Sequence, residues 1–302
     1  MMRSICAALA VIALIGCDDT VGGQKPVLSD EPDPVEMERF ARRLHLDLTG
    51  KTASDGFVDS ALSDLSAENN SVAARAELAD DLLSSQGFAD TYVAELDNQV
   101  FGGESSLDRY NLLCINIRNF DPACQSCPAP SGDSLCSNCA CPALVEIEAE
   151  RLELEQSAAD LGSGDATSSE IDRRFAESRA VSALSGPEGT AQILFETFLG
   201  RLPEGEETRN AVAMITGLVF SPDQAAGLLF QRHGSNFDDM VTILFESEIY
   251  REARVNAVFE RYLGRAATPI ELRHLTEQLS ESNPDIRPVV GLITSSGEYF
   301  NQ

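Results

Sequence analysis

The chain has 302 residues and a formal net charge of −27, because 49 acidic residues face only 22 basic ones. This balance argues against binding nucleic acid or anionic lipid head groups through a basic surface. Tryptophan is absent and aromatic residues are scarce, so the hydrophobic cores must consist mainly of Leu, Ile, Val, Ala and Phe.

The N-terminus has the parts of a bacterial export signal. Arg3 provides a positive charge, and the apolar run over residues 5–15 is shorter than the ~20 residues that span a bilayer. The segment Leu14-Ile15-Gly16-Cys17 resembles the lipobox of bacterial lipoproteins. This resemblance implies that residues 1–16 are removed as a signal peptide and that lipid is attached to Cys17.

The resemblance to lipoproteins also implies a location. Several acyl chains give stable anchoring, whereas a single chain binds a membrane only marginally. We therefore expect the N-terminal lipid to hold the protein on the cell membrane or the outer membrane, on the periplasmic or extracellular face. Residues 17–33 contain Gly, Pro, Ser and Asp without hydrophobic periodicity, which is typical of a flexible tether.

Residues 34–101 are predicted to form an N-terminal helical domain. Asp33-Pro34-Val35-Glu36 combines an N-cap acid, a proline at the first helical position and an acid in the first turn, and Gly50 ends this helix. Three more helices are predicted, starting near Ser54, running over about 71–83, and running over about 88–100.

The remaining chain divides into three parts by composition. Residues 102–142 are rich in Gly, Ser, Pro, Asp and Cys, and predict an irregular cysteine-rich insertion. Residues 143–186 predict an acidic helix followed by a linker at about 162–169. Residues 187–302 predict a C-terminal domain of repeated helical units, so that the whole fold is all-α.

A repeat is visible in this C-terminal part. Phe195-Glu196-Thr197-Phe198-Leu199-Gly200-Arg201 recurs as Phe259-Glu260-Arg261-Tyr262-Leu263-Gly264-Arg265. Each copy predicts an amphipathic helix that ends at the glycine, followed by helices that cover its apolar face. Leu48-Thr49-Gly50-Lys51 is a distant third copy.

Two further resemblances rest on these packing and turn residues. The Tyr262-Leu263-Gly264-Arg265 segment and the terminal Ser296-Gly297-Glu298-Tyr299 resemble a helical domain of unknown function that is often repeated in bacterial surface proteins. The segment at residues 42–50 resembles an uncharacterised domain found beside cytochrome-c-like domains in planctomycete proteins, although Lys51-Thr52-Ala53-Ser54 replaces the usual Pro-rich turn. Both resemblances imply a helical fold, and neither implies catalytic residues.

Six cysteines lie between residues 114 and 141, namely Cys114, Cys124, Cys127, Cys136, Cys139 and Cys141. An even number in an exported chain favours disulfides, but the sequence does not choose among the fifteen possible pairings. The alternative is a metal site, because Cys124-x-x-Cys127 and Cys136-x-x-Cys139 form two pairs at zinc-ligand spacing. Haem attachment is excluded, since Pro128 and Ala140 stand where that motif needs histidine.

No motif commits the chain to a reaction. The three histidines His45, His233 and His274 lack metal-ligand spacing, and no nucleophile elbow, phosphate-binding loop or dinucleotide fingerprint occurs. The sequence therefore predicts no catalytic residue, cofactor or resident metal. It favours a non-catalytic lipoprotein that acts as a scaffold or interaction protein with an envelope protein partner. The alternatives are a redox or metal-handling accessory that uses the cysteine cluster, and a hydrolase acting on envelope polymers.

Overall fold

The computed structural model describes residues 33–128, 136, 139, 141–217, 226–279 and 285–302. The predicted signal peptide at residues 1–16, the lipidated Cys17 and all of the tether except Asp33 lie outside the described residues. Within them the protein is all-α, as predicted, with fourteen helices and one two-stranded sheet. No described helix is both long and apolar enough to cross a membrane.

The elements follow one another in this order: α1 (Pro34–Thr49), α2 (Asp55–Ala67), α3 (Val72–Leu83), α4 (Gln86–Phe101), α5 (Ser106–Phe120), α6 (Pro142–Ser163), α7 (Ser168–Glu177), α8 (Arg179–Leu199), α9 (Gly205–Thr216), β1 (Gly227–Leu229), β2 (Arg232–Gly234), α10 (Phe237–Phe245), α11 (Glu248–Leu263), α12 (Pro269–Gln278), α13 (Arg287–Thr294) and α14 (Gly297–Phe300).

The first four helices lie close to where the sequence predicts them, and α4 begins at Gln86, about two residues before its predicted start. The Asp33 side chain accepts a hydrogen bond of 2.9 Å from the Val35 amide, and α1 ends at Gly50 in the left-handed conformation. The next three helices each begin after a serine whose side chain caps the first turn, namely Ser54, Ser71 and Ser85. Such caps satisfy backbone amides that have no partner inside the helix.

The cysteine-rich insertion contains a helix that the sequence analysis did not predict. The Ser105 side chain caps α5 by accepting a hydrogen bond of 3.2 Å from the Asp108 amide. The buried face of α5 consists of Tyr110, Leu113 and Cys114. The helical period is hard to recognise in the sequence, because a tyrosine and a disulfide-forming cysteine take the place of aliphatic residues on this face.

The predicted linker after the acidic helix is only a short turn. Helix α6 ends at Gly164, and α7 begins after Thr167, which forms a capping box with Glu170. Helix α8 is broken at Gly186, which has a φ of 68° and precedes Pro187. This break coincides with the predicted start of the C-terminal repeat domain at residue 187.

The short antiparallel hairpin β1–β2 was not predicted either, since strands of three residues are too short to show an alternating pattern. Its turn consists of Phe230 and Gln231, both at positive φ. Gly227 lies so close to α9 that a Cβ atom there would be 2.5 Å from the Asn210 carbonyl oxygen. The hairpin therefore packs with its backbone against that helix.

The repeated segments form matching corners. Helices α8 and α11 end at Gly200 and Gly264, which have φ angles of 64° and 66°. After each glycine an arginine turns back onto a glutamate in the first turn of the next helix. Arg201 lies 2.6 Å from Glu207, and Arg265 lies 2.9 Å from Glu271.

The hydrophobic core runs through both ends of the described chain. Helix α13 packs on α3, and the ring of Phe40 on α1 lies 6.0 Å from that of Tyr299 and 5.3 Å from that of Phe300. The Tyr299 hydroxyl donates a hydrogen bond of 2.7 Å to the Asp47 carboxylate. The regions that composition separates at residues 34–101 and 187–302 thus share one core.

Candidate functional site

The six clustered cysteines form three disulfides. Cys114 pairs with Cys136, Cys124 with Cys141, and Cys127 with Cys139, with Cα–Cα distances of 5.2 or 5.3 Å. The prediction of disulfides is confirmed, and the pairing that the sequence left open is assigned. The four sulfurs of the two Cys-x-x-Cys segments are distributed over all three disulfides, so none of them is a free thiolate for a zinc site.

The three disulfides tie the end of α5 to the start of α6. Cys114 lies on α5, and Cys141 is the residue immediately before α6. The Cys114–Cys136 and Cys124–Cys141 bridges are buried, whereas Cys127 and Cys139 are partly exposed. The insertion therefore has two buried bridges and one that is partly exposed.

One carboxylate lies beside this cluster. An Asp121 oxygen and the sulfurs of Cys124 and Cys141 all lie within 4.8 Å of one another. As thiolates these sulfurs would suit zinc, but in a disulfide they carry no charge and bind a metal poorly. In the oxidised protein this group offers a metal only the carboxylate of Asp121.

A buried polar cluster joins three helices at a place that the sequence analysis missed. Asp172 on α7 accepts hydrogen bonds from the hydroxyls of Tyr92 and Tyr250, at 2.6 and 2.8 Å. Its carboxylate also lies 3.2 Å from Arg254 on α11, whose Nη2 donates a hydrogen bond of 2.6 Å to the Tyr92 hydroxyl. The side chain of Asp172 is only 1% exposed.

The surroundings favour the charged form of Arg254. Burial lowers the pKa of Arg254, but the Asp172 carboxylate raises it, and the net direction is upward. Burial raises the pKa of Tyr92 and Tyr250, and the nearby Asp172 raises both further. The two phenols thus stay neutral donors, and Asp172 and Arg254 compensate each other's charge in a region that excludes water.

The sequence alone gives little indication of this cluster. Tyr250 and Arg254 are four residues apart and lie on one helix face, but Tyr92 and Asp172 come from distant parts of the chain. The available signal was Asp172 itself, an acidic residue next to Ile171 on the apolar side of an amphipathic helix. A buried carboxylate must be paired, so this position implied a cation elsewhere in the fold.

Two cavities adjoin this cluster. The smaller, of about 300 Å³, is lined by α7, α11 and residues near α10, and the larger, of about 500 Å³, lies between α4 and α11. Arg254 and Ile286 line both cavities. Volumes of this size are ordinary for small-molecule sites.

The three histidines lie away from both cavities. The His45 ring packs against Phe57 at 4.7 Å and is within 2.9 Å of the Lys51 carbonyl oxygen. His233 lies on the exposed strand β2, and His274 is on the exposed side of α12. The structure thus places no histidine beside another candidate residue in the part of the chain it describes.

Comparison with known proteins does not add to this picture. No protein-family model matches the chain, and no curated protein or solved structure is significantly similar to it.

Proposed function

We propose that this protein is a non-catalytic lipoprotein, anchored through lipid on Cys17 to the cell membrane or outer membrane, and that it acts as a scaffold or interaction protein in the bacterial envelope. The observation that carries the proposal is the set of three disulfides. Disulfides persist in oxidising compartments and are rare in the bacterial cytoplasm. They support export by the signal predicted at residues 1–16.

The cross-linked insertion supports the role in interaction. Near its disulfides, α5 exposes apolar side chains that a soluble surface does not need. Phe120 is 78% exposed, and Leu112 and Ile115 on the same helix are 46% and 40% exposed. Exposed apolar residues on a rigid support are typical of protein interaction sites.

The charge of the chain narrows the class of partner. A net charge of −27 favours a partner surface that is basic or apolar, and it disfavours nucleic acid. The membrane contact in this proposal is made by the lipid alone, and an acidic body stays clear of anionic head groups.

Anchoring is tested by metabolic labelling with a radioactive fatty acid in the native bacterium. Wild-type protein should incorporate the label and sediment with membranes. Cys17→Ser should lose both, and a Cys17→Ser variant that still carries label would overturn the lipid anchor.

The interaction role is tested separately by cross-linking in intact envelopes. Phe120→Ser should reduce the yield of cross-linked partner at least several-fold. Ile270→Ser is the matched control, because Ile270 is 73% exposed but lies on α12. Equal yields from both variants would remove α5 from the proposal.

The second candidate is a redox or metal-handling accessory. It is favoured by the partly exposed Cys127–Cys139 bridge and by Asp121 beside Cys124 and Cys141. It requires that protein from the native envelope contains alkylatable thiols or stoichiometric zinc or iron. An intact mass six hydrogens low, with no alkylation before reduction and no metal, would reject it.

A further inference from the structure

We propose that the larger cavity, between α4 and α11, binds a small carboxylate that carries an apolar body, with Arg254 recognising the carboxylate. This binding site is separate from the lipid anchor and from the exposed face of α5, so it can be tested whether or not those proposals hold.

This cleft is lined about half by polar residues, such as Thr91 and Gln99, and about half by apolar walls. The apolar walls consist of residues from α1, α4, α11 and α13 together with the residue that precedes α13, namely Leu48, Phe88, Leu96, Val258, Ile286 and Val290. Walls of this kind bind the apolar part of a ligand, and a few polar groups then fix its orientation.

The two arginines of this lining lie at different places along α11. Arg261 forms an ion pair with Glu95, and both side chains are about two-fifths exposed. Arg254 lies seven residues earlier on the same helix, at ~10 Å by the helical rise, and its side chain is only 16% exposed. Both arginines are paired with an acid, and Arg254 is the more buried of the two, so it is the arginine that a ligand group deep in the cleft would meet.

Arg254 has hydrogen-bonding capacity that the described part of the chain does not use. A guanidinium carries five N–H groups. The Nε group is directed at Asp172 and one Nη2 hydrogen is donated to Tyr92, and no other acceptor for Arg254 occurs among the described residues. The Arg254 side chain lines both cavities.

A carboxylate is the ligand group that fits these donors. Arginine binds carboxylates through parallel N–H···O bonds, and such charge-assisted bonds are strengthened where water is excluded. Asp172 and Tyr92 hold the guanidinium in place, and the Tyr92 ring centroid lies 5.7 Å from the Arg254 Cζ atom. An alcohol of the same shape carries no charge and would form only the weaker neutral hydrogen bonds with these donors.

The probe is phenylpropionate, a water-soluble carboxylate with an apolar body, titrated into the full chain by calorimetry at constant detergent concentration. Phenylpropanol has the same body without the charge and controls for uptake by detergent. We expect saturable binding of phenylpropionate and at least tenfold weaker binding of phenylpropanol. Absence of saturable binding, or equal binding of the two compounds, would overturn the proposal.

Two variants locate the site. Ala257→Trp places a large ring at the mouth of the cleft, where Ala257 is exposed, and should abolish binding. Ala73→Trp on the exposed side of α3 is the control and should bind normally. Because the natural chain has no tryptophan, the fluorescence of each variant also reports whether its ring is near the ligand.

Arg254→Lys tests the role of the guanidinium. It keeps the positive charge beside Asp172, so the fold should be retained, and circular dichroism checks this. Loss of the two-pronged geometry should weaken phenylpropionate binding about tenfold and leave the weak binding of phenylpropanol unchanged. Unchanged phenylpropionate affinity in a folded Arg254→Lys protein would contradict the assignment of Arg254.

Discussion

The cysteine-rich insertion and the helical body are stabilised in different ways. Three disulfides join α5 and the residues that follow it to the start of α6, and the buried residues described between these two helices are Cys124, Cys136 and Cys141. The body around α4, α7 and α11 has no disulfide among its described residues. It depends instead on apolar packing and on the buried pair of Asp172 and Arg254.

The difference shows how each region depends on its surroundings. A disulfide stabilises mainly by restricting the unfolded chain, and it persists only where the redox conditions allow it. A buried ion pair is independent of redox conditions, but removing either partner leaves an uncompensated charge. The insertion should therefore respond to reductant, and the body should respond to single substitutions inside its polar cluster.

The largest expected effect is that of Asp172→Ala. This change leaves Arg254 buried without a counter-charge and leaves two phenols without their acceptor, so the free energy of unfolding should fall by about 3–5 kcal/mol. Urea denaturation followed by circular dichroism measures the loss. Tyr250→Phe, which removes only one donor, is the control, and a loss for Asp172→Ala no larger than for this control would contradict the prediction.

The next largest effect should come from the insertion. Replacing Cys114 and Cys136 by alanine removes a bridge that closes 22 residues, and the expected loss is about 2–4 kcal/mol. The matched double variant at Cys127 and Cys139 opens a loop of only 12 residues. Its free energy of unfolding should therefore fall by about 0.5 kcal/mol less than that of the first double variant.

Limited proteolysis distinguishes the region that each double variant loosens. Cleavage should increase within residues 102–141 while the helices of the body stay protected. Faster cleavage in α4 or α11 would show that the insertion does not loosen independently of the body.

Local patterns in the sequence account for much of this comparison. Asp33 and Pro34 at the start of α1, and Gly50 at its end, predicted that helix to within a residue. The repeated Gly-Arg segments predicted the two corners after α8 and α11. These features depend on residues that are close in the chain, so one sequence is enough to find them.

Features that depend on distant residues could not be predicted. Cys114 pairs with Cys136 in a fold where α5 packs against α6. The number of cysteines in the sequence gives no information about this packing. Asp172 meets Tyr92 and Arg254 only after three helices pack together. The candidate cleft follows from the same packing, so its lining residues carry no common motif.

An intermediate effect is expected where the two regions meet. Tyr110 on α5 is fully buried, and its hydroxyl lies 2.5 Å from the Glu150 carboxylate on α6 and 2.9 Å from Ser178. Burial and the adjacent Glu150 raise the pKa of Tyr110, so it remains a neutral donor. Tyr110→Phe removes a hydrogen bond to a charged group and should cost about 1.5–3 kcal/mol.

The additivity of Tyr110→Phe with the cysteine substitutions tests whether this contact couples the regions. We expect the loss in the triple variant with Cys114 and Cys136 replaced to be smaller than the sum of the separate losses, because both changes release α5. Strict additivity in urea denaturation would indicate that Tyr110 belongs to the body alone.

The smallest expected effect concerns the two repeated corners, and it appears as a dependence on pH. Hydrogen bonds from Arg265 lower the pKa of Glu271 from its ordinary value of 4.5 to about 2, and Arg201 lowers the pKa of Glu207 in the same way. Because the folded pKa lies below the unfolded one, this stabilisation is present above pH 4.5 and is lost as the pH falls toward 2.

Glu271→Gln should therefore remove part of the acid sensitivity of folding at the cost of about 1 kcal/mol at neutral pH, a magnitude typical of partly exposed pairs. Glu207→Gln is the matched variant at the other corner, and its effect should be smaller, because the Glu271 carboxylate also accepts a hydrogen bond from the Thr268 hydroxyl, which has no counterpart at Glu207. The midpoint of urea denaturation between pH 2 and pH 7 measures both variants. If Glu271→Gln leaves the pH profile unchanged, the corner arginine aligns the helices without stabilising them.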